Sequence, residues 1–186
     1  MQFHTQTCYQ NIQSPWGKIT LAASPTGLNG AWFENQKHFP DTSRWQLQNH
    51  NPIILKAEAY LIPYLEGNWP AFQDARSALQ GLPLDLQNGT AFQQAVWQAL
   101  MSIPYGQTCT YGELAAAIGK PNAVRAVGTA VGRNPISVLI PCHRVLGSQG
   151  QMTGYAGGVW RKQALLQLES SSAALGSYPT KQKIAA

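Results

Sequence analysis

The sequence predicts an α/β (α+β) protein, with a small N-terminal antiparallel-sheet domain followed by a C-terminal helical domain that contains a helix-turn-helix. Three observations carry that expectation. Ile19-Thr20-Leu21-Ala22 alternates as a half-buried strand does, between the turn sequences Ser14-Pro15-Trp16-Gly17 and Ser24-Pro25-Thr26-Gly27. Phe92, Val96, Trp97, Leu100 and Met101 recur at the spacing of one helix face. Two further short helical segments are separated only by Gly119-Lys120-Pro121-Asn122, the outline of a helix-turn-helix.

Taken in order, residues 6–33 read as a small antiparallel meander whose last strand is Leu28 to Phe33. Residues 34–50 are polar and mixed. Asn51-Pro52 then opens a helix from Ile53 to Leu61, with proline at its first turn, where the missing N–H is harmless. Pro63 is expected to kink or end that helix. From Gly67 to Gly89 the chain carries Pro70, Gly81, Pro83 and Asn88-Gly89 around one apolar segment, Leu82 to Leu86, which reads as a last strand and a linker. The first domain is therefore placed at residues 1–88.

In the second domain, residues 89–172, Thr90 is a suitable N-cap for the helix that runs to Met101, and Pro104-Tyr105-Gly106 breaks it. Thr110 caps the next helix, Tyr111 to Ile118, with Glu113 at the capping-box position. Ala123 to Val131 forms the third helix, and Gly132-Arg133-Asn134-Pro135 closes it. Ile136 to Ile140 is apolar and expected to be extended, and Val159 to Glu169 is a final helix packed through Trp160, Ala164, Leu165 and Leu168. Beyond it the chain is Ser- and Ala-rich without a sustained pattern, so residues 173–186 are expected to be a flexible tail.

Thirteen Lys and Arg against eight Asp and Glu give a formal charge of +5, a modest pointer to an anionic partner such as nucleic acid. Cys8, Cys109 and Cys142 are odd in number and far apart, which argues against a disulfide framework and for a reducing compartment. No run approaches the length of a membrane span, and Met1-Gln2-Phe3-His4 does not begin an export signal, so a cytoplasmic chain without membrane contact, acting as a monomer, is expected. His4, His38, His50 and His143 lack paired short ligand spacings, and neither a metal nor a cofactor is expected.

The chemistry centres on Leu139-Ile140-Pro141-Cys142-His143-Arg144-Val145. A thiol reacts chiefly as thiolate, and a histidine, a cationic Arg and a helix N-terminus are the neighbours that favour that form, which makes Cys142 the candidate nucleophile. The competing reading is a small buried thiol packed as an apolar residue. Adjacent side chains of a strand diverge, so His143 would reach Cys142 only through a bend, for which Pro141 is suited, or through a water. In the third helix, Ala126, Gly128, Ala130 and Gly132 are small and Arg125 is the only interior charge. Such a face permits close approach to a groove, with Arg125 free to enter a base stack, or else merely close helix packing. Asn134 precedes a proline, where its amide can bond local backbone. Gly154-Tyr155-Ala156-Gly157-Gly158 forms a loop that a ligand could approach, without the Lys-Ser/Thr ending of a phosphate loop.

Together these motifs resemble the O6-alkylguanine-DNA alkyltransferases, and most closely the bacterial stand-alone type, the methylated-DNA-protein-cysteine methyltransferases. The resemblance rests on Pro-Cys-His-Arg-Val at 141–145, Tyr111 in Tyr-Gly-Glu-Leu-Ala, Arg125-Ala126-Val127-Gly128, Asn134-Pro135, Tyr155-Ala156-Gly157-Gly158, Lys162, Leu165-Leu166 and Glu169, in order over about residues 90–170. It implies a suicide enzyme of DNA repair that flips alkylated guanine out of duplex DNA and takes the alkyl group onto Cys142 once and irreversibly, with O4-alkylthymine as a further candidate substrate. By the same resemblance His143 acts on Cys142 through a water, Glu169 orients His143, Tyr111 donates to the guanine ring and Asn134 braces the turn. Arg125 fills the vacated stack, beside Ala126, Val127 and Gly128 on the DNA, in the minor groove. Val145, Tyr155, Ala156, Gly157 and Lys162 line the lesion pocket. Two departures stand out: Leu168 where some relatives have a histidine, and Ala156 where some have a serine. The rival readings are a non-catalytic alkyl-damage-binding protein, which would lack the acceptor cysteine, a helix-turn-helix transcription factor, and a cysteine hydrolase.

Overall fold

A computed structural model of the chain describes residues 1–68 and 79–173, with side chains to residue 170. The N-terminal half is a four-stranded sheet of order β3-β2-β1-β4, built from β1 (Cys8–Ser14), β2 (Gly17–Ser24), β3 (Gly27–Phe33) and β4 (Gln46–Leu47). Strands β1 to β3 form the expected antiparallel meander. The β1–β2 turn closes with Ser14 opposite Gly17. Trp16 N–H donates to Ser14 Oγ at 3.2 Å, and Gly17 takes a φ of +104° that a side chain would resist. Strand β4, which pairs parallel to β1, lies in the stretch read as irregular, because a strand of so few residues carries no period to detect.

Helix α1 (Pro52–Leu65) packs against β1, β2 and β3, burying Ile54, Ala57, Leu61, Tyr64 and Leu65. Asn51 caps it by accepting from the N–H groups of Ile53 and Ile54. Pro63 lies inside the helix without ending it. It removes one backbone donor near the C-terminus, and the burial of Tyr64 and Leu65 just beyond holds the last turn. The segment expected as a last strand makes a single bridge, Leu28 with Leu84. Pro83 has no N–H to extend a ladder, and Asp85 turns its carboxylate to the hydroxyls of Ser24 and Thr26. Residues 69–78 of the expected linker lie outside the described residues.

The C-terminal half contains α2 (Ala91–Leu100), α3 (Tyr111–Ala117), α4 (Val124–Gly132) and α5 (Val159–Ala173). Capping boxes begin α2 (Thr90 with Gln93) and α3 (Thr110 with Glu113). A short 3₁₀ turn, Pro121–Ala123, leads from α3 into α4, giving the two-helix arrangement read from the sequence. Two short parallel strands, β5 (Cys109–Thr110) and β6 (Val145–Leu146), bring the chain on either side of this helix pair together. Helix α5 continues through residues 170–173, beyond the Glu169 end expected from the sequence, and residues 174–186 lie outside the described residues.

One expectation about the site itself changes. Residues 136–140 are not an extended strand: Ile136 makes one bridge, to Ala31 of β3, and the chain then coils through buried turns in which Val138 has a φ of +71°. Ala31 N–H donates to Pro135 O and Ser137 N–H to Ala31 O, both at 2.9 Å, so this coil is laid directly on the N-terminal sheet. One cluster of buried apolar residues runs from the sheet through α1 to α2, α3, α4 and Cys142. No helix among the described residues is long and apolar enough to cross a membrane.

Candidate active site

Cys142 begins a 3₁₀ turn, Cys142–Arg144, entered through Pro141. Successive side chains on such a turn diverge by roughly 120°. Cys142 and His143 therefore point apart, and the geometry asks no direct bond between them. The thiol is 5% exposed. Asn134 Nδ2 lies 3.0 Å from its Sγ and also donates to the carbonyls of Ile140 at 2.8 Å and Ile136 at 3.3 Å. Burial pushes the Cys142 thiol up, while the Asn134 donor, the Lys162 charge, its own backbone N–H and the Tyr155 hydroxyl pull it back without cancelling that effect. The resting group is thus a neutral thiol that needs a proton acceptor before it can attack.

His143 is fully buried, and its Nε2 lies 2.8 Å from Glu169 Oε1. A carboxylate can only accept, so Nε2 carries the proton and Nδ1 presents its lone pair. No described residue bonds Nδ1. Burial lowers the His143 pKa, the Glu169 carboxylate opposes that, and Arg144 and Lys162 add to the lowering. The imidazole is consequently neutral at neutral pH and able to take up a proton at Nδ1.

Glu169 is 1% exposed and held by more than His143. Arg144 Nη2 donates to Oε1 at 2.9 Å, and its Nε to Oε2 at 3.0 Å. Gly106 N–H donates to Oε2 at 3.2 Å, and the Tyr64 hydroxyl donates to Oε1. Burial would raise this carboxyl, but His143 and Arg144 hold it far below the usual carboxylate range. Arg144 is charged at every accessible pH and supplies the lasting compensation. Its Nη1 is fixed on Ile103 O at 2.7 Å.

On the other side of the thiol, buried Lys162 donates from Nζ to Val145 O at 2.6 Å and to Thr153 Oγ1 at 3.4 Å. Burial lowers its pKa while Cys142 raises it, so a negative sulfur would favour the ammonium form. The Tyr155 hydroxyl is buried without a well-formed hydrogen bond among the described residues, and burial together with Cys142 raises its pKa well above the ordinary value. The loop that carries it is pinned to the N-terminal half: Lys37 N–H donates to Ala156 O at 2.9 Å. At Gly157 a Cβ would lie 2.7 Å from the Tyr155 ring and 3.1 Å from that of Phe33, so the backbone there approaches as only glycine allows. Tyr111, at the start of α3, pairs its hydroxyl with Thr153 Oγ1 at 2.8 Å. The side of α4 at Gly128 faces the ring of Tyr111, and Arg125 and Ala126 are exposed on the same helix.

Comparison with known proteins places this arrangement. A methylated-DNA–protein-cysteine methyltransferase from Mycobacterium bovis is 44% identical over 166 residues, 89% of this chain and 93% of that protein. The chain belongs to the methylated-DNA–protein-cysteine methyltransferase family. The family model for the DNA-binding domain of 6-O-methylguanine DNA methyltransferase matches residues 91–171. A crystal structure of the Mycobacterium tuberculosis O6-methylguanine methyltransferase superposes with a TM-score of 0.76 at 41% identity, covering 95% of this chain and 97% of that one. Mycobacterium tuberculosis OGT in complex with DNA gives 0.74 at 43% identity, covering 88% and 92%.

Within this methyltransferase chain, Cys142, Asn134, Tyr155 and Lys162 gather about the sulfur, with His143 and Glu169 joined behind it. Two expected site residues are placed differently. Val127 is fully buried, because Val127, Ala130 and Val131 form the core stripe of α4, so it cannot lie on DNA. The Val145 side chain is likewise fully buried in the core, and only its carbonyl, bound by Lys162, serves the site. No local pattern in the sequence marks Tyr64 or Thr153 as site neighbours. Arg144 stands inside the recognised motif but was read as a cation near the thiol, whereas its charge is spent on Glu169. Among the described residues no cluster of His, Cys, Asp or Glu could hold a metal ion.

Proposed function

We propose that this methyltransferase repairs duplex DNA by moving the alkyl group of a flipped O6-alkylguanine onto Cys142 Sγ, once per molecule and irreversibly. The observation that carries the reading is the buried Cys142 thiol, with Asn134 Nδ2 at 3.0 Å and a neutral His143, bonded to the Glu169 carboxylate, behind it. The thiol proton passes through a water to His143 Nδ1. The thiolate attacks the alkyl carbon, forming the S–C bond as the C–O6 bond breaks, and the electron pair left on guanine is neutralised by a proton from Tyr111. Lys162 and Asn134 favour negative charge on sulfur during the step.

Arg125 and Ala126 are exposed on α4, and this supports a DNA face at that helix, with Arg125 filling the stack. The division into a sheet domain, 1–88, and a reacting domain, 89–172, is supported by the family match beginning at residue 91. Action as a monomer in the cytoplasm is part of the same proposal. An acceptor cysteine argues against a non-catalytic damage-binding protein. Intact-protein mass spectrometry after incubation with O6-methylguanine duplex, followed by peptide mapping, tests the reading: one added methyl group on Cys142 supports it, and an unmodified protein refutes it.

A further inference from the structure

The Glu169 carboxylate is reached by a side chain from the N-terminal half. Its Oε1 receives His143 Nε2 at 2.8 Å, Arg144 Nη2 at 2.9 Å and the Tyr64 hydroxyl. Tyr64 belongs to α1, is 4% exposed, and lies 105 residues from Glu169 in sequence. Its ring meets that of Tyr105 edge-on, with centroids 6.2 Å apart and planes at 90°, which fixes the direction of the hydroxyl. We propose that Tyr64 is a positioning residue for the transfer reaction, holding the Glu169 carboxylate so that His143 presents an unprotonated Nδ1.

The inference rests on the role given to His143 under Proposed function. Arg144 alone already compensates the carboxylate charge, so a further donor on Oε1 is not needed for charge balance. What Tyr64 adds is competition. A carboxylate oxygen shared among several donors accepts less strongly from each, so Tyr64 tempers the pull of Glu169 on the His143 Nε2 proton. A stronger pull would make Nδ1 more basic and keep His143 protonated to higher pH, where it cannot accept from the thiol. Burial and the Glu169 charge both raise the Tyr64 pKa, so the hydroxyl stays a donor throughout. The charged groups that act on His143 are Glu169 and Lys162 from α5 and Arg144 from its own turn, with Tyr64 of α1 and Tyr105 acting behind Glu169. Of these only Tyr64 comes from the N-terminal half. The sheet domain thereby has a part in the chemistry beyond support.

The test compares the full-length protein with Tyr64→Phe and, as a control, Leu61→Ala, which loosens the same helix without reaching Glu169. Two readouts are taken: the proton NMR resonance of His143 Nε2–H at neutral pH, and the pH profile of single-turnover methyl transfer. Tyr64→Phe should move the resonance downfield, as its bond to Glu169 strengthens, and shift the acid limb of the profile upward by about half a pH unit. Leu61→Ala should lower the melting temperature and leave resonance and profile as in the wild type. An unmoved resonance in Tyr64→Phe, or the same shift in Leu61→Ala, overturns the inference. Failure of the wild type to take up methyl would instead defeat the proposed function, and the resonance comparison, which needs no turnover, would still decide the role of Tyr64.

Discussion

Asn134 Nδ2 sits 3.0 Å from Cys142 Sγ and 2.8 Å from Ile140 O, so one side-chain amide holds both the reacting sulfur and the coil that delivers it. Its Oδ1 accepts from Ile136 N–H at 3.0 Å, which closes the turn at the end of α4. Asn134→Ala should therefore act twice. It should destabilise the fold by about 1–3 kcal/mol, because buried acceptors lose their donor. It should also push the Cys142 thiol further up, read as alkylation by a neutral thiol reagent that sets in at higher pH than in the wild type.

Acid stability should fall in two steps. His143 has a folded pKa below its unfolded one, so the unfolded chain binds the proton more readily and stability declines as pH drops below the ordinary histidine value of about 6.5. Glu169 has a depressed folded pKa, so its contribution is full above the ordinary carboxyl value of about 4.3 and is lost as pH falls beneath it. In Glu169→Gln, Arg144 is left buried without its counter-charge, which should cost about 3–5 kcal/mol at neutral pH and flatten the lower step. Denaturant melts from pH 3 to 8 measure both.

Arg125 is exposed on α4 and apart from the sulfur cluster, so its effect should depend on the substrate. Arg125→Ala should slow transfer from lesion duplex by about tenfold or more, equivalent to about 1.4 kcal/mol of the flipping cost, while transfer from free O6-methylguanine changes little. Equal losses on both would remove Arg125 from the stack. Tyr111→Phe keeps the ring beside Gly128 but loses the hydroxyl proposed to protonate guanine, so it should slow transfer from duplex and from free O6-methylguanine alike.

Much of this site is legible in the sequence because its parts are local. Cys142, His143 and Arg144 form one turn, Asn134 lies eight residues before the sulfur, and the capping boxes at Thr90 and Thr110 announce their helices. Other parts are hidden for physical reasons. Ile136 to Ile140 is apolar because it is buried on both sides, and an apolar run reads alike whether it extends or coils. Val127 falls inside a motif whose neighbours are proposed to contact DNA, yet helical spacing with Ala130 and Val131 turns it inward. The bond from Tyr64 to Glu169 joins halves 105 residues apart, and no local pattern encodes it.

Repair should weaken the protein. A methyl group on Cys142 adds volume to a site that is 5% exposed, at a cost of about 1–3 kcal/mol. It also converts the acceptor of the Asn134 bond into a thioether. Because Asn134 closes the turn that ends α4, the strain should reach the DNA face. The methylated protein should melt lower, by about 2–4 °C per kcal/mol for a chain of this size, and release DNA more readily. An unchanged or higher melting temperature would break the coupling drawn through Asn134.

The central claim is a single, irreversible transfer to one sulfur. Fixed amounts of protein titrated with excess O6-methylguanine duplex, with methyl counted on each cysteine peptide, test it most directly. The count should plateau near one methyl per chain, all on Cys142, with none on the buried Cys8 or Cys109 and none at all in Cys142→Ala. Repeated turnover, or methyl on another cysteine, would contradict the account.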